Sequence, residues 1–406
     1  MPLFRYHPMK NNQSGMSLTE LMIAMAIGLF LLSGVVTVLI NTKATYKVNE
    51  GISVLQQNAR YIIDELNKKL RMAGYFGCFK NEGSLGTMVN KLNNAGSDEY
   101  DYGNAIEVWN ATGTSIGSTY TMTATNPDAT TVLTNWQNNS GANLPSMLSG
   151  LAIPGNDVFM IRGSDGNDIP MAQNNNAAQF FACASATAGG CPDGSTSYSG
   201  LCENDIVVAS DCVKAFVFQI SNLQTTGGGG GSSCTSGQST NVVHSKVATM
   251  VPGNAEGSWG GNNAEDTIGS EGNIIKITST AYYVGKGSSG SPSLFRLAAN
   301  STPEELVEGV ENMQILVGED TDATADGAAN RYVDGNLVSN LDRIVSVRIC
   351  LLMRTDSNVN STEISGSHIL CGFTSATGIT ITPVADKRIR HTFSTTIKLR
   401  NLGSSL

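Results

Sequence analysis

Residues 21–40 read LMIAMAIGLFLLSGVVTVLI, twenty positions without a charged side chain. As an α-helix rising about 1.5 Å per residue, this run matches the roughly 30 Å hydrocarbon layer of a bilayer. No second run of the kind occurs in the 406 residues, which excludes a polytopic membrane protein and leaves a cleaved signal or a retained single anchor. A secretory signal carries an apolar stretch of about 7–15 residues with a small-residue cleavage site after it. Here the stretch is longer, no Ala-x-Ala site follows, and the small residue Gly15 stands in front. Arg5 and Lys10 precede the run, and Lys43 and Lys47 follow it. Glu20 lies at its very start, where a carboxylate without a partner is costly in lipid.

Past residue 40 the pattern becomes amphipathic. Val48, Ile52, Leu55, Ala59, Ile62, Leu66, Leu70 and Ala73 recur at steps of three or four and share one helical face, while Lys47, Gln57, Asp64, Glu65, Lys68 and Arg71 lie largely elsewhere. The spacing predicts that the membrane helix continues through residues 41–74 and docks this stripe on a globular head. Gly51 is expected to weaken it by about 1 kcal/mol relative to Ala, and Gly74 to end it.

Gly15-Met16-Ser17-Leu18-Thr19-Glu20-Leu21-Met22-Ile23 resembles the type III signal of type IV pilins and pseudopilins. The resemblance implies a leader of residues 1–15, cut between Gly15 and Met16 by a prepilin peptidase that also methylates the new amino terminus. Met16 departs from the phenylalanine usual there. It implies too that the Glu20 carboxylate pairs with the amino terminus of a neighbouring subunit during assembly, each charge neutralising the other.

The remainder, residues 75–406, reads as one β-rich head. Forty-four glycines follow no Gly-X-Y period, so collagen is excluded, and a net charge of −9 argues against a surface built throughout for nucleic acid. Strands are expected over 157–162, 205–209, 215–220, 274–284, 294–297, 313–317 and 343–353. Along the C-terminal stretch, Ile389, Phe393, Ile397 and Leu399 take one face and Arg388, Arg390, Lys398 and Arg400 a solvent face. Residues 81–150 read as long loops with short strands at 105–109 and 120–124, and the 227–231 glycine run as another loop. Ser301-Thr302-Pro303-Glu304-Glu305 has the signature of a helix start. The fold class is therefore α+β, a long helix on an antiparallel sheet.

Eight cysteines, all beyond the apolar run, favour disulfides over metal in an exported head, since none form a Cys-x-x-Cys pair. Cys350 and Cys371 are symmetric about a turn-like segment, so a hairpin would oppose them. Cys183 and Cys191 flank a short loop they could close. A strand at 205–209 would hold Cys202 and Cys212 about 30 Å apart, too far to bond, which links Cys78 and Cys234 to those two in an order left open.

The blocks Arg71-Met72-Ala73-Gly74-Tyr75-Phe76-Gly77-Cys78, Leu306-Val307-Glu308-Gly309-Val310-Glu311, and 386–390 with 399–401 resemble the PilW family of minor pilins. The resemblance implies a minor pilin of the type IV pilus. Its helix would join other minor pilins and the major pilin in a priming or tip complex, with a large tip adhesin as a further partner. Twitching, adhesion and DNA uptake would follow indirectly, without direct nucleic-acid binding. The chain would stand in the inner membrane with a periplasmic head, then in the pilus. The rivals are a type II secretion pseudopilin and an adhesin or DNA-binding module on a pilin stalk, centred on the unmatched 81–200 region.

No enzymatic activity is expected. Gly113-Thr114-Ser115-Ile116-Gly117 fits a nucleophile pattern but sits in a polar stretch without the strand and helix it needs. His244, His368 and His391 form no metal spacing, and Gly285-Lys286-Gly287 lacks the rest of a phosphate loop. No cofactor is expected; Asp320, Asp322 and Asp326 are a weak calcium candidate, read first as a solvated turn between strands.

Overall fold

The computed structural model describes residues 15–79, 87–123, 132–226, 234, 239–261 and 264–402. Leader residues 1–14, the 227–231 glycine run and Ala124 lie outside them.

One helix, Leu18–Met72, runs unbroken for 55 residues, about 80 Å at the α-helical rise. Every residue from 15 to 47 is exposed, whereas Leu55, Ala59, Ile62, Leu66 and Leu70 are buried. Gly51 does not interrupt the helix. A side chain there would press on Thr355 Cγ2 at 3.0 Å and Val359 Cγ1 at 3.3 Å, so the missing Cβ lets the 355–359 loop approach.

The head is almost wholly β. Its largest sheet is organised by Asn273–Lys286, which pairs antiparallel with Val158–Ser164, Ile206–Ser210, Ile169–Gln173 and Pro292–Ala298 along its length. A four-stranded antiparallel sheet follows in the order Arg331–Asp334, Val310–Glu319, Ile344–Arg354, Arg390–Lys398. Among the described residues two pairings are parallel: Thr87–Asn90 with Lys214–Gln219, and Thr119–Thr121 with Ile379–Thr382. The helix stripe packs into a core shared by both large sheets, among them Phe159, Ile161, Tyr282, Ile315, Val317, Ile349, Leu351 and Ile397. Each such side chain contributes roughly 1.5–3 kcal/mol of gross transfer free energy.

Four expectations need correction. The segment around Pro303 starts no helix; Glu304–Glu308 is a strand, reached through Asn300 at φ +61°. Its acids find partners across the sheet instead of at a helix terminus: Glu304 pairs with Arg296, and Glu305 accepts from the Ser288 amide.

The strands expected at 105–109 and 120–124 are present as Ile106–Ala111 and Thr119–Thr121, but the 81–150 region around them is more than long loops. Ile106–Ala111 is buried along its whole length, and Trp109 and Trp136 form the centre of a separate core cluster. Their indoles are satisfied by the carbonyls of Asn143 and Asn156.

The disulfides are Cys78–Cys212, Cys183–Cys234, Cys191–Cys202 and Cys350–Cys371. Cys183 does not close a loop with Cys191. It extends Gln179–Ala182, which pairs with Ser239–Val243 and so brings the chain carrying Cys234 alongside. A two-residue ladder, Ala186–Thr187 with Ser197–Tyr198, turns Cys191 toward Cys202 instead, so Cys234 and Cys202 are not partners. The strand Ile206–Ser210 does separate Cys202 from Cys212. Cys350 and Cys371 are joined, though not across a hairpin: His368–Leu370 pairs with Ile379–Thr382, and that small sheet packs on the face of Ile344–Arg354 that carries Cys350.

Finally, Arg390 is not a solvating residue. It is buried in an ion-pair network.

Candidate assembly site

The helix begins in a capping box. Ser17 Oγ accepts from the Glu20 amide at 3.2 Å, while Glu20 Oε2 accepts from the Ser17 amide at 3.0 Å and the Ser17 hydroxyl at 3.1 Å. Two otherwise orphaned amides are thus satisfied, and the carboxylate lies over the positive end of the helix. Gly15 and Met16 stand just before this cap, exposed and outside the helix. From Leu18 onward the apolar side chains have no cover within the chain: Leu21, Ile23, Leu29, Phe30, Val38 and Ile40 are all exposed. So much uncovered apolar surface on one soluble-phase helix has to be sheathed by lipid or by other helices.

The other end of the helix is tied to the head by several independent devices. Glu65 meets Arg296 at 3.3 Å, and Lys69 meets Asp165 at 2.9 Å. Asn401, from the far end of the chain, donates its amide to the carbonyls of Arg71 and Ala73 at 3.2 and 3.1 Å, satisfying acceptors a helix terminus leaves open. Gly74 then turns the chain at φ +73° and donates to the Arg162 carbonyl. Gly163 lies so close that a Cβ would sit 2.5 Å from the Met72 carbonyl oxygen. Just beyond, Cys78 bonds Cys212 in the turn between Ile206–Ser210 and Lys214–Gln219.

A buried charge cluster holds the C-terminal sheet. The register of Val310–Glu319 slips between Val310 and Asn312, so Glu311 is the extra residue of a β-bulge. Freed from pairing, its carboxylate meets Arg354 at 3.1 Å and Arg390 at 2.6 Å, and Arg390 also meets Asp386 at 2.7 Å. Burial works to lower the pKa of Arg390, but hydrogen bonds to Glu311 and Asp386 outweigh it and raise the value. For Arg354 burial prevails over Glu311 and lowers it. Neither this network nor the Asn401 cap was foreseen from sequence. The available signal was slight, since Glu311 and Arg354 lie near the ends of strands that carry other polar residues, among them Asn312, Gln314 and Arg348.

The remaining candidates do not assemble into chemistry. Ser115 lies in a turn after Ile106–Ala111, with Thr114 buried against Ala111 and Asp157, and the strand Thr119–Thr121 comes next instead of a helix. His368 and His391 flank the C-terminal sheets, and His244 is stacked on Trp259 in the core. Lys286 ends a strand. Among the described residues, Asp320, Asp322 and Asp326 are the carboxylates close enough to share a cation. Asp320 is buried and already accepts from the amides of Asp322, Asp326 and Gly327 at 3.2, 2.9 and 2.8 Å. The Gly327 amide first, then those of Asp322 and Asp326 and the Arg343 guanidinium, hold it below the ordinary carboxylate range against its burial.

Comparison with curated proteins and with solved structures finds no match. Residues 10–36 match the prokaryotic N-terminal methylation motif, and residues 281–401 match PilW, the type IV pilus-assembly protein W family. The first match covers the capping box and much of the uncovered helix; the second takes in the whole bulged four-stranded sheet and ends on the residue that caps the helix. Joined to the helix-and-sheet architecture, the two matches make the chain similar to PilW-like type IV pilins.

Proposed function

We propose that this chain is a minor pilin that enters a priming or tip complex of the type IV pilus through residues 16–40 of its helix. The observation that carries the reading is the division of that one helix, exposed throughout residues 15–47 and buried along its second half against the head. Lipid covers the exposed part before assembly, and neighbouring pilin helices cover it afterwards. Processing by a prepilin peptidase after Gly15 places an amino group next to Ser17 and Glu20, and in the assembled state the Glu20 carboxylate exchanges its capping-box contacts for the amino terminus of a neighbour. The head binds other minor pilins and a large tip adhesin. The chain's chemistry is assembly, without turnover.

The test is Glu20→Gln in cells, with piliation and the melting temperature of the purified protein both measured. Lost piliation with an unchanged melting temperature is expected, because Glu20 touches nothing in the head; normal piliation overturns the role assigned to the carboxylate. Gly15→Ala should leave the precursor uncut, seen by mass. A defect in secretion with normal pili would move the chain to a secretion pseudopilus.

A further inference from the structure

The four-stranded sheet ends on Arg390–Lys398, and among the described residues no strand pairs with its outer side. Two bonds fix which backbone groups face that side. Leu399 N–H donates to Val345 O at 2.9 Å, and Thr355 N–H donates to Ile389 O at 3.0 Å, with an unshifted register between them. Odd-numbered residues therefore turn their amides and carbonyls toward Ile344–Arg354, and Thr392, Ser394 and Thr396 turn theirs outward. All three are exposed.

An open edge is a template for another strand, and proteins ordinarily blunt it with proline, a bulge, a central charge or brevity. This edge has nine residues, no proline, no register shift and a lysine only at its last position.

Charge selects the occupant. Neither Arg390–Lys398 nor Ile344–Arg354 contains an acidic residue, although the whole chain carries a net charge of −9. Lys387 and His391 are exposed at one end of the edge, and Lys398 and Arg400 at the other. Antiparallel pairing with a second copy would bring Lys398 and Arg400 to the end that carries exposed Lys387, the charges of Arg388 and Arg390 being met by Asp386 and Glu311, and in-register parallel pairing would set Lys398 and Arg400 beside their own counterparts. Like charges opposed across strands are destabilising, so self-pairing is disfavoured. We propose that the outer edge of Arg390–Lys398 accepts an extended strand from another protein whose carboxylates flank the paired segment. The backbone supplies affinity, the basic ends set partner and register, and the Thr392, Ser394 and Thr396 side chains suit a β-branched strand beside them. The assembly reading above enters only in taking that protein to be another pilus subunit.

The experiment uses the mature full-length chain in detergent micelles and two synthetic peptides of alternating valine and threonine, one capped by glutamates at both ends and one by lysines. Binding is followed by fluorescence anisotropy and by hydrogen exchange at Thr392, Ser394 and Thr396. The glutamate-capped peptide is expected to slow exchange at these amides and to bind roughly ten-fold more tightly than the lysine-capped one. Ser394→Pro, which removes an outward donor and spares the inward ladder, should abolish binding. Should that variant not fold, Lys398→Glu with Arg400→Glu asks the same question by reversing the peptide preference. No slowing with either peptide, equal binding of both, or binding undiminished in folded Ser394→Pro would overturn the proposal. Glu20→Gln should leave peptide binding intact, so a failure of the assembly reading appears separately.

Discussion

Removing the Cys78–Cys212 bond should weaken the head more than removing any other disulfide. The bond closes 134 residues, against 51 for Cys183–Cys234, 21 for Cys350–Cys371 and 11 for Cys191–Cys202. If a cross-link acts mainly by restricting the unfolded chain, its contribution grows with the logarithm of the loop, giving about 5 kcal/mol for the longest and about 3 kcal/mol for the shortest. The longest loop also joins the helix exit to the turn between two central strands, so its loss frees the stalk from the large sheet. The assay is urea unfolding of paired Cys→Ala variants in detergent, followed by fluorescence of Trp109, Trp136 and Trp259, all buried in the head. Cys78→Ala/Cys212→Ala should shift the midpoint most and Cys191→Ala/Cys202→Ala least. If the 191–202 variant loses as much as the 78–212 variant, chain entropy is the wrong account of what these bonds do.

Other perturbations separate the stalk from the head. Glu311→Gln leaves Arg390, whose side chain is buried, and partly buried Arg354 without the carboxylate they share, and should cost about 3–5 kcal/mol in the same unfolding assay, a loss that Arg354→Met in the same chain should restore only in part because Arg390 remains. Leu66→Ala should cost about 3 kcal/mol because Leu66 is fully buried, while Leu29→Ala, exposed in the membrane half, should leave head unfolding unchanged. Burial, aided by the Lys91 charge and opposed by a backbone hydrogen bond, pulls His244 down to about 4. Its unfolded value lies near 6.5, so the unfolded state binds the extra proton between these values and stability falls as pH drops through that window, by roughly 3 kcal/mol in total. His244→Phe should flatten that slope in thermal melts from pH 4 to pH 7. Millimolar calcium should leave the melting temperature unchanged, since Asp320 is already bound by its own loop; a rise would show the three carboxylates holding the ion.

The parts legible in the sequence are those whose signal is periodic. Twenty uncharged residues and a stripe at helical spacing specify the helix to within a turn, and the alternation of Val345, Val347, Ile349 and Leu351 specifies a strand because nothing competes with it. Around Pro303 two signals conflicted. Ser-Thr-Pro-Glu-Glu favours a helix locally, but Leu306 and Val307 pack on the core, and Arg296 across the strand outbids a helix dipole for Glu304. The cysteine pairings failed where they depended on contacts far apart in sequence: the neighbour of Cys183 is set by a strand at 239–243, which spacing alone does not reveal.

The same distinction explains the assembly site. Gly15, Met16 and Glu20 are a contiguous motif and could be read directly. Asn401 and Glu311 act only through the fold, one by reaching the helix terminus from the end of the chain, the other by a bulge that points it away from its own ladder. Glu311 lies in the C-terminal sheet and Asn401 just past its last strand, so this end of the chain caps the helix, carries the buried charge cluster and presents an open edge. Movement of the helix relative to the head would have to break the Asn401 contacts and strain the Cys78–Cys212 link. A partner strand on the outer edge of Arg390–Lys398 would then sit on the sheet whose following residue Asn401 holds the helix terminus, whereas the Cys78–Cys212 bond ties the stalk to the larger sheet.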